Sequence, residues 1–147
     1  PRDKDRTDLE LAIQHGLEQA PESIVIIGAL GARLDHTLGN LALLADSRLA
    51  NTGCTIDDGI EQVFLCRTAS EISGSTEDLV SLVPWGTPVE GVRTSGLRWP
   101  LRGETLFPES SRGISNEMTA PSAQVSIESG LLFIIHHRRG PSLHDGV

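Results

Sequence analysis

The hydrophobic pattern of this chain changes character near residue 67, and that change narrows the folds open to it. Upstream, apolar residues recur at helical spacing in two stretches separated by a short β-branched run. Downstream come only short apolar runs, roughly ten residues apart and punctuated by Gly and Pro. Residues 70–73, 79–84, 89–94, 113–118, 124–127 and 131–136 read as strands with no convincing helix among them. Such a run of strands predicts a β-sandwich or barrel. The expected architecture is therefore α/β followed by all-β: an α/β domain over 1–67, a β-sandwich over 68–137 and a flexible tail over 138–147.

Within the first part, Ile24-Val25-Ile26-Ile27 has the fully apolar, mostly β-branched character of a buried strand in a parallel sheet. Gly28 and Gly31 then turn the chain, and Leu34, Leu38, Leu41 and Ala45 share one helical face, which predicts a helix over about 34–49. Strand, glycine turn and helix start together let backbone N–H groups approach a phosphate. A loose glycine loop is a weak signal alone, since many α/β proteins bind nothing at such a turn. Polar residues in the first helical turns sharpen it. Arg33 can offer a two-pronged fork to phosphate oxygens, Asp35 can bind a metal or orient Arg33, and His36 and Asn40 lie one turn apart.

Ahead of this loop, Thr7-Asp8-Leu9-Glu10 fits a capping box, with Thr7 as N-cap and Glu10 reaching back. Leu9, Ala12, Ile13 and Leu17 continue it as an amphipathic helix that ends near Ala20-Pro21. The helix dipole alone favours acidic residues at such a start. It does not account for Asp3 and Asp5, which lie upstream of the cap, and the cluster suits either a hard divalent cation or a solvated acidic surface. Residues 54–56 and 62–66 read as strands joined across Asp57-Asp58-Gly59. The chain opens at Pro1 instead of Met, which reads as a piece begun partway through a longer protein.

A net charge of -8 argues against a nucleic-acid-binding surface, which needs a basic face. No apolar segment reaches the roughly 18 residues of a membrane span, and no signal-peptide pattern is present, so a cytoplasmic protein is expected. Cys54 and Cys66 lack the spacing of a metal site and read as reduced thiols. Aromatic residues are only 3% of the chain, so Trp85 and Trp99 stand out. Trp99 lies at a strand end beside a glycine, where it can stack on a flat ligand ring or plug one end of a sandwich. Gly113-Ile114-Ser115-Asn116-Glu117 offers donors and acceptors suited to a heteroaromatic edge. His136 and His137, adjacent on a strand, point to opposite faces and make a poor chelate.

Four blocks, DKDRTDLE (3–10), GALGARLDHTLGN (28–40), SGLRWPL (95–101) and GISNE (113–117), resemble in order and spacing the bacterial thiamine pyrophosphokinases, from Asp3 to about residue 135. The resemblance implies the second half of a Rossmann-like parallel α/β domain that holds ATP and Mg²⁺, then a carboxy-terminal β-sandwich that supplies the thiamine pocket, in a homodimer. The implied activity is transfer of the pyrophosphoryl group of ATP to thiamine, giving thiamine diphosphate and AMP. The alternative is a catalytically silent thiamine-binding and dimerisation module. Asp8 and Asp35 match carboxylates that hold Mg²⁺ and the phosphates, with Asp3 and Asp5 as helpers. The resemblance assigns Gly31 and Arg33, with Thr7 and Asn40, to the nucleotide. Trp99 is assigned to the aminopyrimidine face, and Ser115 and Asn116 to its polar edge. Two departures stand out. Ala32 replaces the middle glycine of a Gly-Gly-Arg triplet, where an added methyl crowds backbone approach if φ must be positive. The family's upstream half of the nucleotide domain, with a Gly-Asp-Phe-Asp-Ser block, is also missing.

Overall fold

The computed structural model describes residues 5–31 and 33–140. They fall into two compact units, the first ending at Asp58 and the second beginning at Gly59. In the first unit, α1 (Asp8–Glu18) is followed by β1 (Ser23–Ile26), α2 (Leu34–Leu43), a single 3-10 turn at Ser47–Leu49 and β2 (Gly53–Asp57). Thr7 is the N-cap of α1 as expected, its Oγ1 accepting from Glu10 N at 3.2 Å. The Glu10 carboxylate lies 3.9 Å from Arg6 Nε. β1 and β2 are parallel, with Ser23 opposite Gly53 and Ile26 opposite Ile56, and α2 lies in the crossover between them. Ile13, Ile26, Leu44, Leu49 and Ile56 form the buried part of this unit.

Two expectations for this unit are corrected. The strand read as buried buries only Ile26, while Val25 and Ile27 are 61% and 83% exposed. The helix read as running to 49 ends at Leu43 and buries none of its residues, with Leu34 and Leu38 exposed. Its early end has a local cause. The Asp46 carboxylate accepts from Arg48 N at 2.9 Å, capping a separate 3-10 turn in place of a continuing α-helix. The apolar face is uncovered because the described residues of this unit place nothing over it.

The second unit contains β3 (Glu61–Cys66), β4 (Ala69–Ser73), β5 (Leu79–Pro84), β6 (Val89–Ser95), β7 (Arg102–Leu106), β8 (Asn116–Glu117), β9 (Ser122–Ser126) and β10 (Leu132–His137). They build two antiparallel layers in the orders β3-β10-β5-β8 and β4-β9-β6-β7. Burial alternates along β5, with Val80, Leu82 and Pro84 inside. Val80 and Leu82 join Ile72, Val89, Val92 and Val125 of the other layer in one continuous cluster, and Cys66 Sγ lies 3.9 Å from Val125 O across it. This is a β-sandwich.

Four further differences from the sequence reading have physical causes. The reading placed its boundary at 67, whereas β3 pairs along its whole length with β10 and so belongs with the sandwich. Strand β7 was not foreseen: it buries only Leu106 and meets β6 through a bulged register, so it carries almost no hydrophobic alternation. The expected strand over 113–118 shrinks to Asn116–Glu117, because Ser115 adopts φ +59 and breaks the extended run. Arg138 and Arg139, expected in a flexible tail, are tied in: Arg138 N donates to Ile60 O at 2.9 Å and Arg139 N to Asp78 Oδ1 at 3.1 Å. Residues 141–147 lie outside the described part.

Candidate functional site

The sandwich carries a hollow of about 390 Å³, walled by Leu82, Trp99, Pro100, Leu101, Arg112, Gly113, Ile114, Ser115 and Asn116. Two loops build it: the connection from β6 to β7, which carries Trp99, and the connection from β7 to β8, which carries 112–115. The second loop lies flush on β5, and Leu82 N donates to Gly113 O at 2.8 Å. A Cβ on Gly113 would stand 2.3 Å from Leu82 O, so only glycine permits that approach. Ser115 N donates to Ser81 Oγ at 3.0 Å, which helps hold its left-handed backbone and keeps the side chain at the hollow.

Trp99 is 54% exposed, unusual for an indole with no polar task at a surface. Its main chain is gripped by the Asn116 amide. Oδ1 accepts from Trp99 N at 3.1 Å and Nδ2 donates to Trp99 O at 2.7 Å. The Arg98 guanidinium sits 5.0 Å from the ring centroid and 3.3 Å from Glu117. The cation on the hollow's wall, Arg112, is paired with Glu104 through Nε at 2.7 Å and Nη2 at 2.6 Å. An apolar floor, an indole, a hydroxyl and a neutralised guanidinium suit a flat heterocycle, including a positively charged one.

The first unit carries a shallower hollow of about 240 Å³ along the turn after β1 and the start of α2. Gly28, Gly31, Arg33, His36, Thr37 and Asn40 line it. Gly28 and Gly31 take φ of +78 and +118, backbone geometry that side-chain-bearing residues avoid. The turn is laced to the helix: Thr37 Oγ1 donates to Gly31 O at 3.1 Å, and Asn40 Nδ2 donates to Ala29 O at 2.9 Å. Arg33 forks onto Asp35, Nε to Oδ1 at 3.1 Å and Nη2 to Oδ2 at 2.6 Å, and Oδ1 also accepts from His36 N at 2.9 Å. The guanidinium and then the His36 N–H hold the Asp35 carboxyl below the usual carboxylate range. Helix-start N–H groups and an exposed arginine make this a place for an anion.

Residues 1–57 match the family model described as thiamin pyrophosphokinase, catalytic domain, and residues 69–132 match the one described as thiamin pyrophosphokinase, vitamin B1 binding domain. The two matches each enclose one of the hollows. The chain belongs to the thiamine pyrophosphokinase family. It is 29% identical over 135 residues to thiamine pyrophosphokinase of Bacillus subtilis, an alignment covering 90% of this chain and 63% of that protein. A crystal structure of thiamine pyrophosphokinase from the same organism superposes with a TM-score of 0.85 at 28% identity, covering 92% of this chain and 64% of that one. The corresponding figures for the Geobacillus thermodenitrificans protein are 0.84, 29%, 97% and 66%. The chain thus spans less than two thirds of the length of these relatives.

Against that family frame, the structure brings Gly31, Arg33, Asp35 and Asn40 together at the first hollow, and Trp99, Ser115 and Asn116 at the second. Thr7 is engaged as a helix cap and Asp8 opens α1. Asp5 is exposed, and Asp3 and Ala32 lie outside the described residues. Among the described residues, no three His, Cys, Asp or Glu side chains gather into a metal-holding group. Sequence reasoning missed Arg112 and Glu104, and it named Gly113 without the close approach to β5 that requires a glycine there. Arg112 sits three residues before the Ser115-Asn116 pair, but only the fold sets Glu104 beside it. Cys54 and Cys66 are free, and burial pushes both thiols up, away from reactive thiolate. No described helix is long and apolar enough to cross a membrane.

Proposed function

We propose that this chain carries the nucleotide loop and the thiamine pocket of a thiamine pyrophosphokinase. In the reaction, the thiamine hydroxyl oxygen bonds to the β-phosphorus of ATP. The bond between that phosphorus and the α–β bridging oxygen breaks, AMP leaves with the bridging oxygen, and the hydroxyl proton is released. Arg33 and the N–H groups at the start of α2 receive phosphate oxygens, while Gly31 and Asn40 keep the loop open to them. Trp99 stacks on the aminopyrimidine and Ser115 meets its polar edge. What carries the reading is the coincidence of each family match with a hollow built from that block's own residues.

Mg²⁺ bound with ATP is the cofactor we propose, supplying charge neutralisation to the phosphates. The described residues alone do not fit it: Asp5, Asp8 and Asp35 form no common group, and both Asp35 oxygens are taken by Arg33. Homodimerisation and a cytoplasmic location belong to the same proposal. A second reading, a thiamine-binding module without turnover, is favoured by one observation. The thiamine hollow lies wholly in the well-cored sandwich, whereas the first unit leaves Val25, Ile27, Leu34 and Leu38 exposed. Incubation with ATP, thiamine and Mg²⁺ decides between them. Thiamine-dependent AMP supports the kinase; thiamine uptake without AMP supports the silent module; neither overturns both.

A further inference from the structure

We infer that Asn116 serves the ligand through Trp99, as a positioning residue that aims the indole and does not itself touch the heterocycle; this rests on the proposed thiamine pocket. Both ends of the amide are engaged with main chain, Oδ1 by two donors and Nδ2 through one of its two hydrogens. Nδ2 donates to Trp99 O at 2.7 Å, and Oδ1 accepts from Trp99 N at 3.1 Å and from Glu117 N at 2.9 Å. A side-chain amide presents an acceptor oxygen and an N–H donor on the same side, so it can pair with both the N–H and the C=O of one residue. Here it extends an antiparallel pairing that the main chain begins but cannot finish. Leu97 bridges Met118, Arg98 N donates to Glu117 O at 2.8 Å and Thr119 N donates to Gly96 O at 2.9 Å. The main-chain rungs stop at Arg98, and the Asn116 side chain supplies the next rung to Trp99.

That rung falls where the chain most needs one. Pro100 follows immediately and has no N–H to offer, so the Asn116 amide anchors both polar groups of the Trp99 backbone. The Arg98 guanidinium over the ring is an exposed contact on a flexible stem, which limits rotation of the ring but not travel of its backbone. An exposed indole whose backbone is fixed meets a ligand without paying to be ordered first.

The test uses the chain with Trp85 replaced by Phe, so that Trp99 is the one fluorophore. Trp99 anisotropy and acrylamide quenching are read without ligand, and thiamine affinity is read by calorimetry. In Asn116→Ala the expected result is lower anisotropy, stronger quenching and about tenfold weaker thiamine binding, the loss of one net hydrogen bond's worth of order. Adding Trp99→Ala to it should then cost nothing beyond Trp99→Ala alone. Weaker binding with an unmoved indole overturns the inference, because Asn116 would then contact the ligand directly. A loosened indole with unchanged affinity overturns it as well. Asn116→Asp keeps the acceptor but sets a charged oxygen against Trp99 O in place of the donor, and its ligand-free anisotropy and quenching carry the same test if the alanine variant fails to fold. If the wild-type chain takes up no thiamine, the thiamine reading falls, and the ligand-free anisotropy alone then upholds or overturns the clamp.

Discussion

Asp78 shows how one residue can hold several segments. Its carboxylate is buried, Oδ2 accepting from Ser75 N at 3.0 Å and from His136 Nε2 at 2.8 Å, Oδ1 from Arg139 N. The carboxylate takes only donors, so Nε2 carries the hydrogen, and His136 Nδ1 is left buried without a partner among the described residues. Burial pushes the Asp78 carboxyl up, but the His136, Ser75 and Arg139 bonds outweigh it and hold it below the ordinary range. A carboxyl lowered in the folded state contributes stability that is complete above about pH 4 and is lost as pH falls through the lowered value. Urea midpoints should therefore drop on acidification in the wild type and drop less in Asp78→Asn. Asp78→Ala should cost about 2–4 kcal/mol at neutral pH, since it strands a buried ring nitrogen and two N–H groups. The exposed Arg33–Asp35 pair belongs to a different regime. Arg33→Ala should leave the melting temperature unchanged while weakening ATP binding, and an unchanged ATP affinity would remove Arg33 from the site.

At the scale of elements, α1 was legible because its start is local chemistry: Thr7 caps it, and its hydroxyl reaches Glu10 N. Thr7→Ala should lower stability by about 1 kcal/mol and Thr7→Asp should recover it, as urea denaturation can show. β5 and β10 were legible because a short apolar run bounded by turn residues suffices to declare a strand packed on a core. The loop over 112–115 was not. Its shape follows from a close approach to Leu82 and from the left-handed Ser115, neither of which leaves a period in the sequence. Gly113→Ala tests that geometry. The added methyl must push the loop off β5, costing about 1–3 kcal/mol and weakening thiamine binding in the same variant.

Across the whole molecule the two units differ in how much apolar surface they bury. The first buries Ile13, Ile26, Leu44, Leu49 and Ile56, while the sandwich gathers fifteen buried side chains in a single cluster. Hydrogen exchange should accordingly find the amides of β5 and β10 most protected and those of β1 and α2 first to open. Uniform protection across both units would refute it. Local sequence sufficed for the division into an α/β part and a β-sandwich, the parallel strand before the glycine turn, and the four blocks that mark the family. All of these depend on local periodicity or on residue identity at fixed spacing. Only the tertiary structure decided that β3 joins the sandwich, that α2 stops at Leu43 with its apolar face open, and that the Asn116 amide is spent on Trp99. Those outcomes depend on which partner each segment meets across the fold, and a pairing between distant residues writes no pattern into either one alone.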